Sequence, residues 1–131
     1  MPSSLIEVRR SYSEAEEAQL IDAVHGALVE AFKIPEEDKH VRLISYAPHR
    51  FSHRPGLSQP ECFTLVSIDC FTGRSKDAKR ALYAAVVARL SDLGIPRDHI
   101  TVLLREIPME NWSIRGGQAA CDVNLGFDVN V

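Results

Sequence analysis

Three residues far apart in this chain, Pro2, Asp38 and Arg74, carry the groups that a proton-transfer site for a small anion needs. An initiator methionine followed by a small residue is ordinarily trimmed, and trimming would leave Pro2 with a free secondary amine. An α-amino group titrates at about 7.7–8.0, so its surroundings decide whether it is an acid or a base at neutral pH. The ring fixes φ, and with it the direction of the nitrogen lone pair. Asp38 supplies a carboxylate that favours the charged amine. Arg74 supplies a cation, and it lies just before a predicted helix start whose free N–H groups also favour an anion. Taken singly, each residue has an ordinary reading: a second residue, a loop carboxylate, a solvated residue before a helix. Trp112, the only tryptophan, reads equally as core or as a pocket wall.

The elements that would position these groups follow from an internal repeat. Ile34-Pro35-Glu36-Glu37-Asp38-Lys39-His40-Val41-Arg42-Leu43 is echoed by Ile95-Pro96-Arg97-Asp98-His99-Ile100-Thr101-Val102-Leu103-Leu104, offset by 61 residues. In the first copy a strand from Ser4 to Arg9 precedes Ser13, which with Glu16 forms a capping box. Ile21, Val24, Leu28 and Phe32 mark the helix's apolar stripe, Pro35 stops it, and Val41 to Tyr46 reads as a second strand. In the second copy Phe63 to Phe71 is a strand and Ser75 a cap. Leu82, Ala85, Val86, Leu90 and Leu93 form the stripe, Gly94 and Pro96 end the helix, and Ile100 to Ile107 returns as a strand.

Each β-α-β unit makes its strands parallel with a right-handed crossover. Two units side by side predict a four-stranded mixed sheet with both helices on one face, an α+β fold in a single domain of residues 1–131. The halves run over about 1–48 and 61–108, with a C-terminal hairpin or strand region at 109–131. A pseudo-two-fold between the copies sets the two first strands antiparallel at the centre. Pro2, the turn after Phe71 that holds Arg74, and Asp38 ahead of the second strand then reach one edge. The strand containing Leu65, Val66 and Ile68 is apolar on both faces, so the face without helices predicts a neighbouring subunit.

Val123, Leu125, Phe127, Val129 and Val131 alternate with Asn124, Gly126, Asp128 and Asn130, which predicts a terminal strand pairing with an edge. Gly116-Gly117 offers the hairpin turn before it. The segment Ala47 to Pro60, with His49, Arg50, His53 and Arg54, is either a basic lid over the site or a bare linker. His49 and His53 do not gain a metal-binding meaning from a spacing of four in a Pro/Gly loop. His25 on the first helix receives no role.

With 131 residues and a net charge of −3, bulk electrostatics offers nothing to nucleic acid or to an anionic membrane. Cys62, Cys70 and Cys121 are odd in number and lack C-x-x-C spacing, as expected of reduced thiols in the cytoplasm. That location also suits a chain with no signal-peptide pattern. No Gly-rich nucleotide loop or metal cluster appears, so a cofactor-free site with no metal is expected.

An N-terminal proline on a doubled β-α-β chain resembles the tautomerase superfamily, and within it the malonate semialdehyde decarboxylase group. The similarity rests on His25-Gly26-Ala27-Leu28-Val29-Glu30-Ala31-Phe32, Pro35 to Asp38, Gly73-Arg74, and Pro108 with Asn111-Trp112-Ser113. The resemblance implies a trimer, Pro2 as acid or base, Asp38 assisting it and positioning water, Arg74 holding a substrate carboxylate, and Trp112 and Ile114 lining the substrate. The decarboxylase pattern has arginine, glycine, arginine where this chain has Thr72-Gly73-Arg74.

The leading expectation is an isomerase or lyase acting on a small oxo acid by tautomerisation, decarboxylation or hydration. A hydrolytic dehalogenase of 3-haloacrylates and a non-catalytic oligomeric binding protein of the same fold are the alternatives. With one family arginine missing, the balance of Asp38 against Arg74 predicts a Pro2 pKa at or above the ordinary range, with acid-type chemistry favoured and tautomerase activity weak.

Overall fold

Ser13 and Ser75 start the two helices in the computed structural model, which describes residues 1–131. The Ser13 hydroxyl accepts from the Glu16 N–H at 3.1 Å and the Glu16 carboxylate accepts from the Ser13 N–H at 2.9 Å, opening α1 (Glu14–Phe32). Ser75 accepts from the Ala78 N–H and opens α2 (Lys76–Asp92). Such caps are each worth about 1 kcal/mol. The first helix stops at Lys33, in the left-handed region at φ 57°, two residues ahead of Pro35.

The strands are β1 (Pro2–Val8), β2 (Val41–Ser45), β3 (Thr64–Phe71) and β4 (Ile100–Ile107), in the order β2-β1-β3-β4. β1 runs parallel to β2 and antiparallel to β3, and β3 runs parallel to β4, as two side-by-side β-α-β units require. Both helices cover one face. Ile6, Val8, Val66, Ile68 and Cys70 from the strands meet Leu20, Val24, Leu28 and Phe32 of α1 and Leu82, Val86 and Leu90 of α2 in a single core. Leu93, expected in the α2 stripe, is exposed because it sits on the helix's C-terminal cap, outside the helical period. No helix is long and apolar enough to cross a membrane.

The other face is open. Ile44 on β2 and Leu103 on β4 are 43% and 46% exposed, and Leu5 and Leu65 between them are only partly covered.

Two expectations change. Gly116-Gly117 does turn a hairpin, but the return strand is β6 (Gln118–Ala119), pairing with β5 (Ser113–Ile114). The stretch Val123 to Val131 is not a strand. Its alternation survives as burial: Val123, Leu125, Phe127, Val129 and Val131 are covered while the residues between them face out. The ladder is broken by local bonds, since Asn124 Oδ1 accepts from the Gly126 N–H at 3.0 Å and Asp128 Oδ1 from the Asn130 N–H at 2.8 Å. The tail drapes over Phe71 and Ala120 and ends with the Val131 carbonyl accepting from the Ser75 N–H.

The segment Ala47 to Pro60 is not a lid within this chain. Arg9, buried at the end of β1, donates to the carbonyls of Phe51, Pro60 and Pro48. The Gln59 N–H donates to Nε2 of the fully buried His99. These anchors hold the segment at the far end of the sheet from Pro2, about 20 Å away at some 3.3 Å per strand residue.

Candidate active site

Pro2 is the first residue of β1, buried and in register with Cys70 of β3. Proline is tolerated as the first residue of a strand. The antiparallel centre puts this end of β1 beside the turn that follows Phe71, and the parallel β2 brings the residues ahead of Val41 to the same edge. The topology therefore gathers Pro2, Asp38 and Arg74, as the repeat predicts.

Met1 is present ahead of Pro2, and its ammonium donates to Asp38 Oδ2 at 2.5 Å. Asp38 is only 12% exposed, and its other oxygen lies 3.0 Å from His40 Nε2. The Met1 amine has its pKa lowered, with burial the largest cause; Asp38 pulls it back up and Arg74 pushes it further down. Weighing Asp38 against Arg74 from sequence alone leaves burial out. At the Met1 amine, burial outweighs the pull of Asp38.

Arg74 is 5% exposed. Its guanidinium stacks on the Phe32 ring with Cζ 4.7 Å from the centroid, and Nη1 donates to the Phe71 carbonyl at 3.2 Å. Nε and Nη2 are buried without any partner. Burial lowers the Arg74 pKa, while Cys70, Asp38, Asp128 and Glu106 oppose that shift. The unpaired Nε and Nη2 form one edge of the planar fork, the edge that takes a carboxylate with two parallel bonds. Gly73 beside it has φ 142°, and a Cβ there would come within 3.1 Å of the Val129 carbonyl and the Asn130 side chain. Glycine thus lets the tail close against this turn.

Trp112 and Ile114 lie in a second, small apolar cluster. Trp112 packs edge-on against Phe71 with ring centroids 4.8 Å apart, and Ile114 and the Met1 side chain rest on the same cluster. A cleft of about 270 Å³ opens beside Met1 and Asp38, lined further by Pro35, Arg115, Leu125 and Phe127. Arg74, Trp112 and Ile114 do not line it; Met1 connects the two regions. His40, Arg115, Leu125 and Phe127 are site neighbours that the sequence expectations omit. Leu125 and Phe127 carried a signal, as inward positions of the alternating tail, whereas nothing in sequence distinguishes Arg115 from any arginine in a turn.

A family model described as a tautomerase enzyme matches residues 38–115, more than half of the chain. The chain belongs to the tautomerase superfamily. Among its relatives, the probable tautomerase YusQ of Bacillus subtilis is 28% identical over 123 residues, spanning 91% of this chain and 97% of YusQ. A malonate semialdehyde decarboxylase, solved in wild-type and inactivated forms to explain its decarboxylase and hydratase activities, superposes with a TM-score of 0.81 at 25% identity, covering 93% of this chain and 99% of its own. A fused 4-OT solved as an asymmetric trimer also gives 0.81, at 21% identity and coverages of 92% and 97%, a likeness of fold.

Proposed function

We propose that this tautomerase-superfamily chain, once Met1 is removed, is a cofactor-free enzyme in which the secondary amine of Pro2 transfers protons on a small oxo acid. The observation that carries the reading is Arg74: a buried cation with Nε and Nη2 both unpaired, beside the chain's amino end. A buried charge without a partner is costly to keep, and a substrate carboxylate would complete it.

In the proposed reaction the substrate carboxylate lies on the Nε/Nη2 edge of Arg74. The Pro2 nitrogen takes a proton from the carbon next to the oxo group, the C–H pair moves into the new C=C bond, and the carbonyl π pair moves to oxygen. Arg74 stabilises the negative charge spread over the enolate. Asp38, which in this structure accepts from the Met1 ammonium, accepts from the prolinium so formed. That proton returns to carbon or oxygen to give the tautomer. Pro2 is itself buried, and burial disfavours a charged amine, which favours a Pro2 pKa below the ordinary α-amino range and base-type chemistry over the acid-type chemistry expected from sequence. Trp112 and Ile114 would wall the space that Met1 vacates.

We place the enzyme in the cytoplasm as a homotrimer whose subunits cover each other's open sheet faces, which the exposure of Ile44 and Leu103 supports. The test is ketonisation of the enol of a 2-oxo acid, the same proton transfer run in reverse, followed as loss of the enol, by the trimmed protein and by Pro2→Ala. A proton-transfer group contributes about 10²–10⁴-fold, so the substitution should cost that much; equal rates would discard the reading. Halide release from 3-haloacrylates, or loss of carbon dioxide from a 3-oxo acid, in place of enol loss would assign the same site to dehalogenation or decarboxylation.

A further inference from the structure

We infer that His25 is a positioning residue: by holding the Glu36 carbonyl it fixes the turn that presents Asp38 to the Pro2 nitrogen. This rests on the proposed function and deepens it.

His25 lies on α1 and is 9% exposed. Its Nε2 is 2.7 Å from the Glu36 carbonyl oxygen. A carbonyl only accepts, so Nε2 carries the hydrogen and donates. In the neutral ring Nδ1 is then a bare lone pair, and it is buried with no partner. An apolar side chain here would avoid that desolvation cost. What the imidazole supplies and an apolar side chain could not is the bond to Glu36.

That bond acts on a turn with few other ties. Ile34 anchors its start in the core, and the Asp38 N–H closes it onto the Pro35 carbonyl at 3.1 Å. Downstream, the His40 carbonyl accepts from the Ser4 N–H. Where the turn meets α1 there is a cleft of about 440 Å³, lined in part by Asp22, His25, Glu36 and Lys39, so the turn is not packed solidly against the helix on this side. Two polar ties cross there, His25 to Glu36 and Lys39 Nζ to Asp22, and they bracket Asp38 in the sequence. The Lys39–Asp22 pair is exposed, and exposed pairs hold little. The buried histidine is the tie that decides where Asp38 sits.

Its position matters because Asp38 accepts from the Met1 ammonium here and from the prolinium in the proposed reaction. A carboxylate drawn away from the charged amine loses a charge-assisted bond, and a misplacement of about 1 Å can cost about 10²-fold in rate. Arg74 is held separately, by the Phe32 ring and the Phe71 carbonyl. Binding of the substrate carboxylate therefore does not pass through His25.

The test uses the trimmed protein carrying His25→Leu, His25→Gln or His25→Asn, assayed on the enol of a 2-oxo acid. In His25→Gln an amide N–H can stand near the place of Nε2; in His25→Asn it stands near that of Nδ1 and falls short of the Glu36 carbonyl. His25→Leu and His25→Asn should lose about tenfold in kcat with KM within about twofold, and His25→Gln should recover most of that loss. Added to Asp38→Asn, which removes the charge that His25 positions, His25→Leu should lower kcat by no more than about a further twofold. Titration of nitrogen-labelled Pro2 by NMR requires no turnover. It should show a Pro2 pKa about 0.5 lower in His25→Leu, as expected when a carboxylate draws back from a charged amine. Full kcat or an unmoved Pro2 pKa in His25→Leu, equal losses in His25→Gln and His25→Asn, or an undiminished loss on top of Asp38→Asn would overturn the inference. Failure of the underlying reading shows separately, as turnover that survives Pro2→Ala.

Discussion

Replacing Arg74 with methionine should abolish activity without lowering stability, a combination that follows from how the residue is held. Methionine keeps most of the side-chain volume and removes the charge. The loss side is small: a cation–π contact with Phe32 worth about 1–2 kcal/mol and a bond to the Phe71 carbonyl worth about 1.5 kcal/mol. The gain side is relief of a 5%-exposed cation with two unpaired nitrogens, whose effective desolvation penalty is several kcal/mol. The expected outcome is a change in Tm from none to a rise of several degrees, at about 4 °C per kcal/mol for a chain of this size, measured at fixed protein concentration because assembly contributes to stability. Meanwhile kcat/KM for an oxo acid should fall about 10²–10⁴-fold, since a bidentate carboxylate contact of about 3–5 kcal/mol is lost. Arg74→Lys should recover little, because a point charge cannot present the planar fork. If Arg74 were structural, Arg74→Met would instead lower stability by about 3–5 kcal/mol, as breaking a buried ion pair does, with KM unchanged. That result would refute the reasoning.

Gly73→Ala should cost about 1–3 kcal/mol, because φ 142° strains any L side chain and the new Cβ meets Val129 and Asn130; denaturant unfolding checks this, and an unchanged midpoint would contradict the packing described. In the Met1-retaining chain the amine's pKa is lowered by burial, so the unfolded chain binds more protons in the window between the folded and ordinary values. Stability should therefore rise with pH up to the ordinary α-amino range of about 7.7–8.0, relative to the Nα-acetylated chain, and a flat difference would show that the amine is not desolvated. Sedimentation should give a trimer that Leu103→Glu weakens, since Leu103 lies on the open face; a stable monomer would remove the architectural part of the proposal.

The fold was legible because doubling leaves a signal twice. The Ile-Pro copies at Ile34 and Ile95, the serine caps and the period-two strands each recur, and every recurrence fixes one more parallel pair. The meeting of Pro2, Asp38 and Arg74 followed from topology alone, since strand direction decides which ends share an edge. What remained hidden depends on local competition and depth. Alternation in 123–131 marks which side chains turn inward, but Asn124 and Asp128 spend their side chains on the backbone and break the strand. The basic residues at 49–54 left a lid and a bare linker equally open because composition says nothing of where a loop is tied, and Arg9 and His99 tie it to the opposite pole. Burial of the Met1 amine, which outweighs the pull of the carboxylate beside it, is a property of packing that no spacing encodes.

The central claim is that the Pro2 amine does the chemistry, and an acylated proline nitrogen can neither take nor give the proton. The most direct measurement separates trimmed from Met1-retaining protein, verifies each by intact mass, and compares their kcat/KM on the same oxo acid. The trimmed protein should carry all the activity and the Met1-retaining protein should fold equally well yet fall at least about 10²-fold below it. Full activity with Met1 still attached would contradict the account.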